Sequence, residues 1–331
     1  MRNSSEESAM KKTNVSVNRL AWKLLDELLE NADRFGVEVT KTSLGTTVVD
    51  AGINARGGFE AGRIITEICM GGCGKAQIVF ERFGDLDLPS IQIFSDNPAI
   101  ATLGSQYAGW QINEEGYFAI GSGPARALAQ KPKGIYREIG YKDDFDRGVL
   151  VLETDNCPPS KIVERFAKDC KILPQNLAIV LTPTASISGA TQVSGRIVET
   201  GIHKLRRLGL DANVIVSASG YAPISPIHPK FVRAMARTND AILYGGTAYY
   251  VVDYDDEQKL LDLVKRAPSM ASEAYGRPFI DIFKEAKYDF YKIDPDLFAP
   301  AVVIINNART GNTFQVGKIN PEALRASFDI K

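Results

Sequence analysis

The chain has 331 residues, 44% of them apolar, enough for two cores of about 150 residues each. A formal charge of −1 gives no electrostatic ground for binding nucleic acid or an anionic membrane, and no apolar run approaches the roughly 20 residues of a membrane-crossing helix. The four cysteines, Cys69, Cys73, Cys157 and Cys170, are too few for a disulfide framework in so long a chain, and a reducing cytoplasm is the simpler expectation.

Taken in chain order, the start MRNSSEESAMKKT is polar and serine-rich and lacks the apolar core of a secretory signal, so residues 1–14 are expected to be a disordered extension. RLAWKLLDELLENADRFG spaces its apolar residues as a helix does, with Gly36 as the stop. VEVTKTSLGTTVVDAG predicts a hairpin around Leu44-Gly45, and GGFEAGRIITEICMGG a helix between glycines. AQIVFERF and LPSIQIFSD predict paired strands, PAIATLGSQYAGW a short helix and loop, and EGYFAIGSGPARALAQ a strand, a glycine turn and a helix. The charged YKDDFDRG, residues 141–148, is the best linker candidate.

Beyond it come a buried strand in VLVLETD, an amphipathic helix in SKIVERFAKDC, a strand in NLAIVLTPTAS, a helix in TQVSGRIVETGIHKL and a strand in NVIVSASG. HPKFVRAMARTNDAILYGG predicts a helix and turn, TAYYVVDYDD a strand and DEQKLLDLVKRAPS a helix; a helix, two strands and a last helix complete the tail. Strands alternate with helices, but many connections are hairpin-like. The expected class is therefore mixed α/β or α+β, with mixed sheets flanked by helices rather than a doubly wound parallel sheet. The expected division is a first domain over 15–147 and a second over 148–331 that carries the TQVSGRIVET helix.

Several common site motifs are excluded. CMGGCGKA resembles a phosphate loop, but Cys69 stands at its first glycine position and Ala76 replaces the magnesium-binding hydroxyl. His203 and His228 are the only histidines, without metal spacing, and Cys69 and Cys73 have no second pair at zinc spacing. No G-x-S-x-G elbow supports a nucleophilic serine. GSGPARA, residues 121–127, is either a tight turn that needs glycine or an anion site built from Ser122, Arg126 and free backbone N–H groups.

On a helical wheel, Val193, Ile197, Val198, Ile202, Leu205 and Leu208 share one arc, and Gln192, Arg196, Glu199 and His203 share the other. A solvated face with an ordinary helical ion pair is one reading. The other is a functional face: it mixes four different polar chemistries, and the preceding TPTASISGATQVSGR is dense in the small hydroxyl and glycine residues of a ligand wall.

GGFEAGRIITEICMGG, LGSQYAGWQI, GYFAIGSGPARALA, PTASISGATQVSGRIVET, RTNDAILYGG and YDFYKIDPDLFAPA together resemble the methenyltetrahydromethanopterin cyclohydrolase family, in matching order over nearly the whole chain. The resemblance implies two mixed α/β domains with a pocket between them and reversible hydrolysis of a cyclic methenyl cation on a pterin carrier. It implies no metal or prosthetic group and a cytoplasmic homo-oligomer, a trimer. It places the catalytic glutamate and arginine of S-G-R-I-V-E at Glu199 and Arg196. A carboxylate there attracts the cation and takes a proton from water, and Arg196 is expected to lower its pKa. The substrate's tail carries phosphate and carboxylates. Residue chemistry nominates Arg126 and Ser122 for those anions, and Ser105, Gln106, Thr184, Ser186 and Gln192 for pterin or tail contacts. A pterin-binding protein without turnover and a cyclohydrolase acting on a folate carrier are the alternatives.

Overall fold

A computed structural model describes residues 14–289 and 292–331; all but the last residue of the expected N-terminal extension lies outside them. Helix α1 (Val17–Glu30) starts at Ser16, whose hydroxyl accepts from the Arg19 amide at 3.1 Å, and is followed by a single turn, α2 (Ala32–Phe35). Gly36 ends it at φ 65°, a left-handed conformation that glycine adopts without strain. The predicted hairpin forms as β1 (Glu38–Lys41) and β2 (Thr47–Asp50). Then come α3 (Phe59–Cys69) and the paired strands β3 (Lys75–Phe83) and β4 (Leu86–Ser95).

Helix α4 (Pro98–Ala101) runs into a π turn over Thr102–Gln106, ahead of β5 (Trp110–Glu114) and β6 (Tyr117–Ser122). The middle of the chain supplies α5 (Ala125–Ala129), α6 (Lys133–Ile139), β7 (Gly148–Glu153), α7 (Ser160–Cys170) and β8 (Leu177–Leu181). The last part supplies α8 (Ile187–Ser194), α9 (Ile197–Arg207), β9 (Ile215–Pro223), α10 (Phe231–Gly245), β10 (Thr247–Val252) and α11 (Glu257–Lys265). It closes with α12 (Phe279–Glu285), β11 (Val302–Asn307), β12 (Thr313–Gly317) and α13 (Pro321–Phe328).

The strands form two mixed six-stranded sheets, in the orders β1-β2-β8-β7-β6-β5 and β12-β11-β10-β9-β4-β3. In the first, β2, β8 and β7 run parallel and the outer pairs are antiparallel. In the second, only β10 and β11 are parallel. This is the expected mixed α/β class. The sheets do not divide the chain at 147/148, however: β7 and β8 join the first sheet, while β3 and β4 join the second. Strands β7 and β8 are apolar and buried along almost their whole length, so both of their faces need cover and they sit at a sheet centre. The expected linker over 141–148 is pinned. The Asn18 amide and side chain both donate to the buried Asp143 carboxylate, at 2.9 and 3.0 Å, and the Tyr141 hydroxyl donates to the Val15 carbonyl.

Helices cover both faces of the first sheet, α5 and α7 on one side and α1 and α3 on the other. The second sheet packs one face on α9 and α11, through Ile197, Val198, Ile202, Leu205, Leu260 and Val264. Helices α10, α12 and α13 gather around Phe83, Leu86 and Leu88 at the turn of the β3–β4 hairpin. Each of these apolar side chains contributes about 1.5–3 kcal/mol on burial. Together they fix α9 against the second sheet while its N-terminus reaches the first.

Candidate active site

The segment predicted as one helix through Thr191–Leu205 is two helices, with a break at Gly195-Arg196. The break has two local causes. Ser194-Gly195 is a weak pair for helix continuation, and the Gln106 side chain enters the gap, donating from Nε2 to the Gly195 carbonyl at 3.0 Å. Ser194, itself buried, is held by its hydroxyl, which donates to the Pro223 carbonyl at 2.8 Å. The break makes Arg196 the N-cap residue of α9 and puts Glu199 in its first turn, where the positive end of the helix dipole favours a carboxylate.

Arg196 and Glu199 do not form the ion pair that their spacing suggests. The Arg196 guanidinium donates to the Gln106 carbonyl at 2.6 Å, the Ser122 hydroxyl at 3.0 Å and the Gln192 amide oxygen at 3.2 Å. It thereby ties the end of β6 and the π turn to the α8–α9 junction. Among the described residues no donor lies within hydrogen-bonding distance of the Glu199 carboxylate, although the residue is only 6% exposed. Glu199 and Arg196 line one cavity of about 390 Å³ with Tyr107, Ala108, Val193, Thr200, His203, Arg207, Asn239, Ile242, Leu243, Pro295 and Phe298. The cavity lies where the loop entering the first sheet meets α9 and α10, and its walls are mostly apolar.

Burial pushes the Glu199 carboxyl above its ordinary value, against the pull of Arg196 and then Arg126. This reverses the expected direction: desolvation in an apolar cavity outweighs a guanidinium that already serves three acceptors. His203, one turn further along α9, is driven down to about 4 by burial and by Arg206 and Arg207. Its ring stacks on Tyr107, with centroids 5.2 Å apart and planes 18° from parallel.

The structure brings most of the nominated binding residues together, but as supports behind the cavity. Ser105 donates to the Cys69 carbonyl at 2.6 Å. Gln106 bridges the helix break, and its Oε1 is buried with no partner. Ser122 and Gln192 both accept from Arg196. Arg126 is fully buried and donates to the carbonyls of Lys131, Ser105 and Leu103, with its guanidinium over the rings of Tyr107 and Tyr136. It holds the π turn in shape and presents no face to an outside anion. Thr184 and Ser186 lie apart from this group. Thr184 donates to Glu153 at the end of β7, and Ser186 caps α8 by accepting from the Gly189 amide at 2.9 Å.

Sequence reasoning missed Tyr107, Asn239, Arg207 and Phe298 as cavity walls. RTND, residues 237–240, lies inside α10. Tyr107 follows Ser105 and Gln106 directly in LGSQYAGWQI, yet it lines the cavity and they do not. Among the described residues no three His, Cys, Asp or Glu side chains cluster as a metal site requires.

Fold and site define an α/β protein of two mixed sheets, with a solitary buried carboxylate at an apolar cavity, an arrangement suited to a flat, positively charged ligand. Comparison with known proteins shows the family. A family profile described as Cyclohydrolase (MCH) matches residues 16–328. The methenyltetrahydromethanopterin cyclohydrolase of Methanothermobacter marburgensis is 46% identical over 322 residues, covering 96% of this chain and 100% of the relative. The proteins of the same name from Methanosarcina barkeri and Methanocaldococcus jannaschii are 44% and 45% identical over 318 and 317 residues, covering 96% and 95% of this chain and 99% and 98% of theirs. The chain belongs to the cyclohydrolase (MCH) family.

Proposed function

We propose that this protein hydrolyses the cyclic methenyl cation of tetrahydromethanopterin to the formyl derivative, reversibly, with Glu199 as the proton-transferring group and Arg196 as its partner. The observation that carries the reading is the Glu199 carboxylate itself, 6% exposed, lining an apolar cavity and, among the described residues, making no hydrogen bond to the protein. An unpaired buried carboxylate is expensive unless a ligand compensates it, and a delocalised amidinium does so. In the free protein burial shifts Glu199 toward its protonated form. Arrival of the cation lowers the carboxyl's pKa again and restores the base.

The steps balance as follows. Water attacks the carbon between the two nitrogens while Glu199 takes one of its protons. The adduct carries a hydroxyl, and protonated Glu199 gives its proton to one nitrogen as that C–N bond breaks. The hydroxyl proton leaves to solvent as the formyl C=O forms. One carboxyl thus serves as base and then acid. Arg196, immobilised by Gln106, Ser122 and Gln192, supplies a fixed positive charge beside the developing hydroxyl at no cost of reorganisation. Holding water against a rigid ring system supplies much of the remaining rate. The names of the relatives support the substrate. A cytoplasmic homotrimer is part of the same proposal.

The test is the decay of methenyl absorbance with purified protein, run beside the corresponding folate compound. Turnover of the methanopterin substrate at the higher kcat/KM supports the reading. Preference for the folate, or tight binding without turnover, overturns it.

A further inference from the structure

Helix α9 presents three chemically different side chains to the cavity in one stripe. Glu199, His203 and Arg207 follow at four-residue steps, and all three line it. Each step is about one helical turn, so about 6 Å of rise separates neighbours and about 12 Å separates the first from the last. The order is carboxylate, aromatic ring, guanidinium.

The middle position is flat and uncharged: the ring of His203 lies on that of Tyr107, and near pH 7 it carries no proton charge to repel a cation. The charged groups around it are Glu199, Arg206 and Arg207 on α9 itself, Glu138 on α6, Asp296 in the loop before β11, and Arg126, whose guanidinium lies over the far partner Tyr107. The last position is the least neutralised cation of its turn. Lys204 holds Asp296 at 2.8 Å and Arg206 holds Glu138 at 2.6 Å, whereas Arg207 reaches Asp296 only at 3.9 Å. Of those three basic residues, Arg207 alone lines the cavity.

We infer that this stripe sets the orientation of an elongated ligand that carries a delocalised cation, an aromatic ring and an acidic tail in that order, with Arg207 as the subsite for the acidic tail. The inference rests on the proposed function, whose substrate has that sequence of groups, and adds to it a determinant of substrate choice. A ligand lying the other way would bring its acid to Glu199 and its cation to Arg207, two like-charge contacts at once. The stripe therefore selects direction as well as shape. Arg126, the arginine nominated from sequence for the tail, is enclosed by backbone carbonyls, and Arg207 takes its place.

The test compares kcat/KM for methenyltetrahydromethanopterin with that for a synthetic methenyl analogue truncated after the aryl ring, which keeps the cation and loses the acidic tail. For Arg207→Gln the ratio of intact to truncated substrate falls about tenfold, with the change in KM, and Arg207→Lys recovers part of it. An unchanged ratio in Arg207→Gln, or an equal loss on both substrates, overturns the inference. A second arm needs no variant: in the wild-type protein, raising ionic strength increases KM for the intact substrate more than for the truncated one. Equal salt response on both also overturns it. Failure of the wild type to turn over either substrate is a separate outcome that refutes the proposed function instead.

Discussion

Glu199→Gln separates the chemical from the structural part of this site. Glutamine matches glutamate in shape but can neither take nor return a proton. Arg196 makes its three hydrogen bonds to Gln106, Ser122 and Gln192, and none of them involves Glu199, so the surrounding geometry stays in place. One positioned acid–base group is worth about 10²–10⁴ in rate, and Glu199 handles both proton transfers, so a loss of about 10³–10⁴, or about 4–5.5 kcal/mol in the barrier, is expected. Stability moves the other way. The carboxyl is held above its ordinary 4.5 in the folded protein, chiefly by burial. Its ionisation therefore favours unfolding: the stabilising contribution is complete below 4.5 and is lost as pH rises through the folded value. The variant lacks this loss, so it melts no lower than the wild type at pH 7, and the gap in its favour opens as pH rises from 4.5 through the folded value and is constant above it. Stopped-flow absorbance of the methenyl substrate gives the first quantity and thermal melts across pH the second. A variant within about threefold of wild-type kcat, or one that melts several degrees lower, refutes the reasoning.

Four other outcomes follow from the same geometry. Arg126→Gln removes charge-assisted bonds to the Leu103, Ser105 and Lys131 carbonyls, and urea titration should show a loss of about 3 kcal/mol or more; a loss below about 0.5 kcal/mol would remove Arg126 as the anchor of the π turn. Asp240, raised to about 7 by burial, accepts from the Phe279 amide and Ser327 and joins α10 to α12 and α13. Its contribution is complete below 3.8 and lost as pH rises to about 7, on the order of 4 kcal/mol, so Asp240→Asn should flatten the pH dependence of unfolding across that window. His203, depressed to about 4 from 6.5, contributes stability above 6.5 that is lost as pH falls toward 4, about 3 kcal/mol, and His203→Asn should abolish that acid slope in melts at graded pH. Gly201→Ala puts a methyl 1.9 Å from the Tyr250 hydroxyl, which donates to the Val198 carbonyl, and should cost about 1–3 kcal/mol in urea; a neutral effect would mean that α9 shifts freely on β10.

Much of the local structure was legible because it rests on short-range physics. The β1–β2 hairpin around Leu44-Gly45, the β3–β4 pair and the amphipathic α7 follow from alternation, turn residues and period. Three features were not legible, and each depends on residues far apart in the chain. Gln106 opens the helix at Gly195 from 89 residues away. Asp143 turns an apparent linker into an anchor through Asn18, 125 residues distant. Arg126, a natural anion binder by composition, is enclosed by the carbonyls of a π turn that no short-range pattern announces.

The sequence by itself determined most of the elements, the mixed α/β class and the spacing of an arginine and a glutamate three residues apart, because periodicity and residue chemistry are local properties. Only the tertiary structure decided that these two side chains part company, one tied to β6 and the π turn, the other facing an apolar cavity. The direction of the Glu199 pKa follows from that separation: desolvation is a property of the whole enclosure, and in this enclosure it outweighs the neighbouring charge.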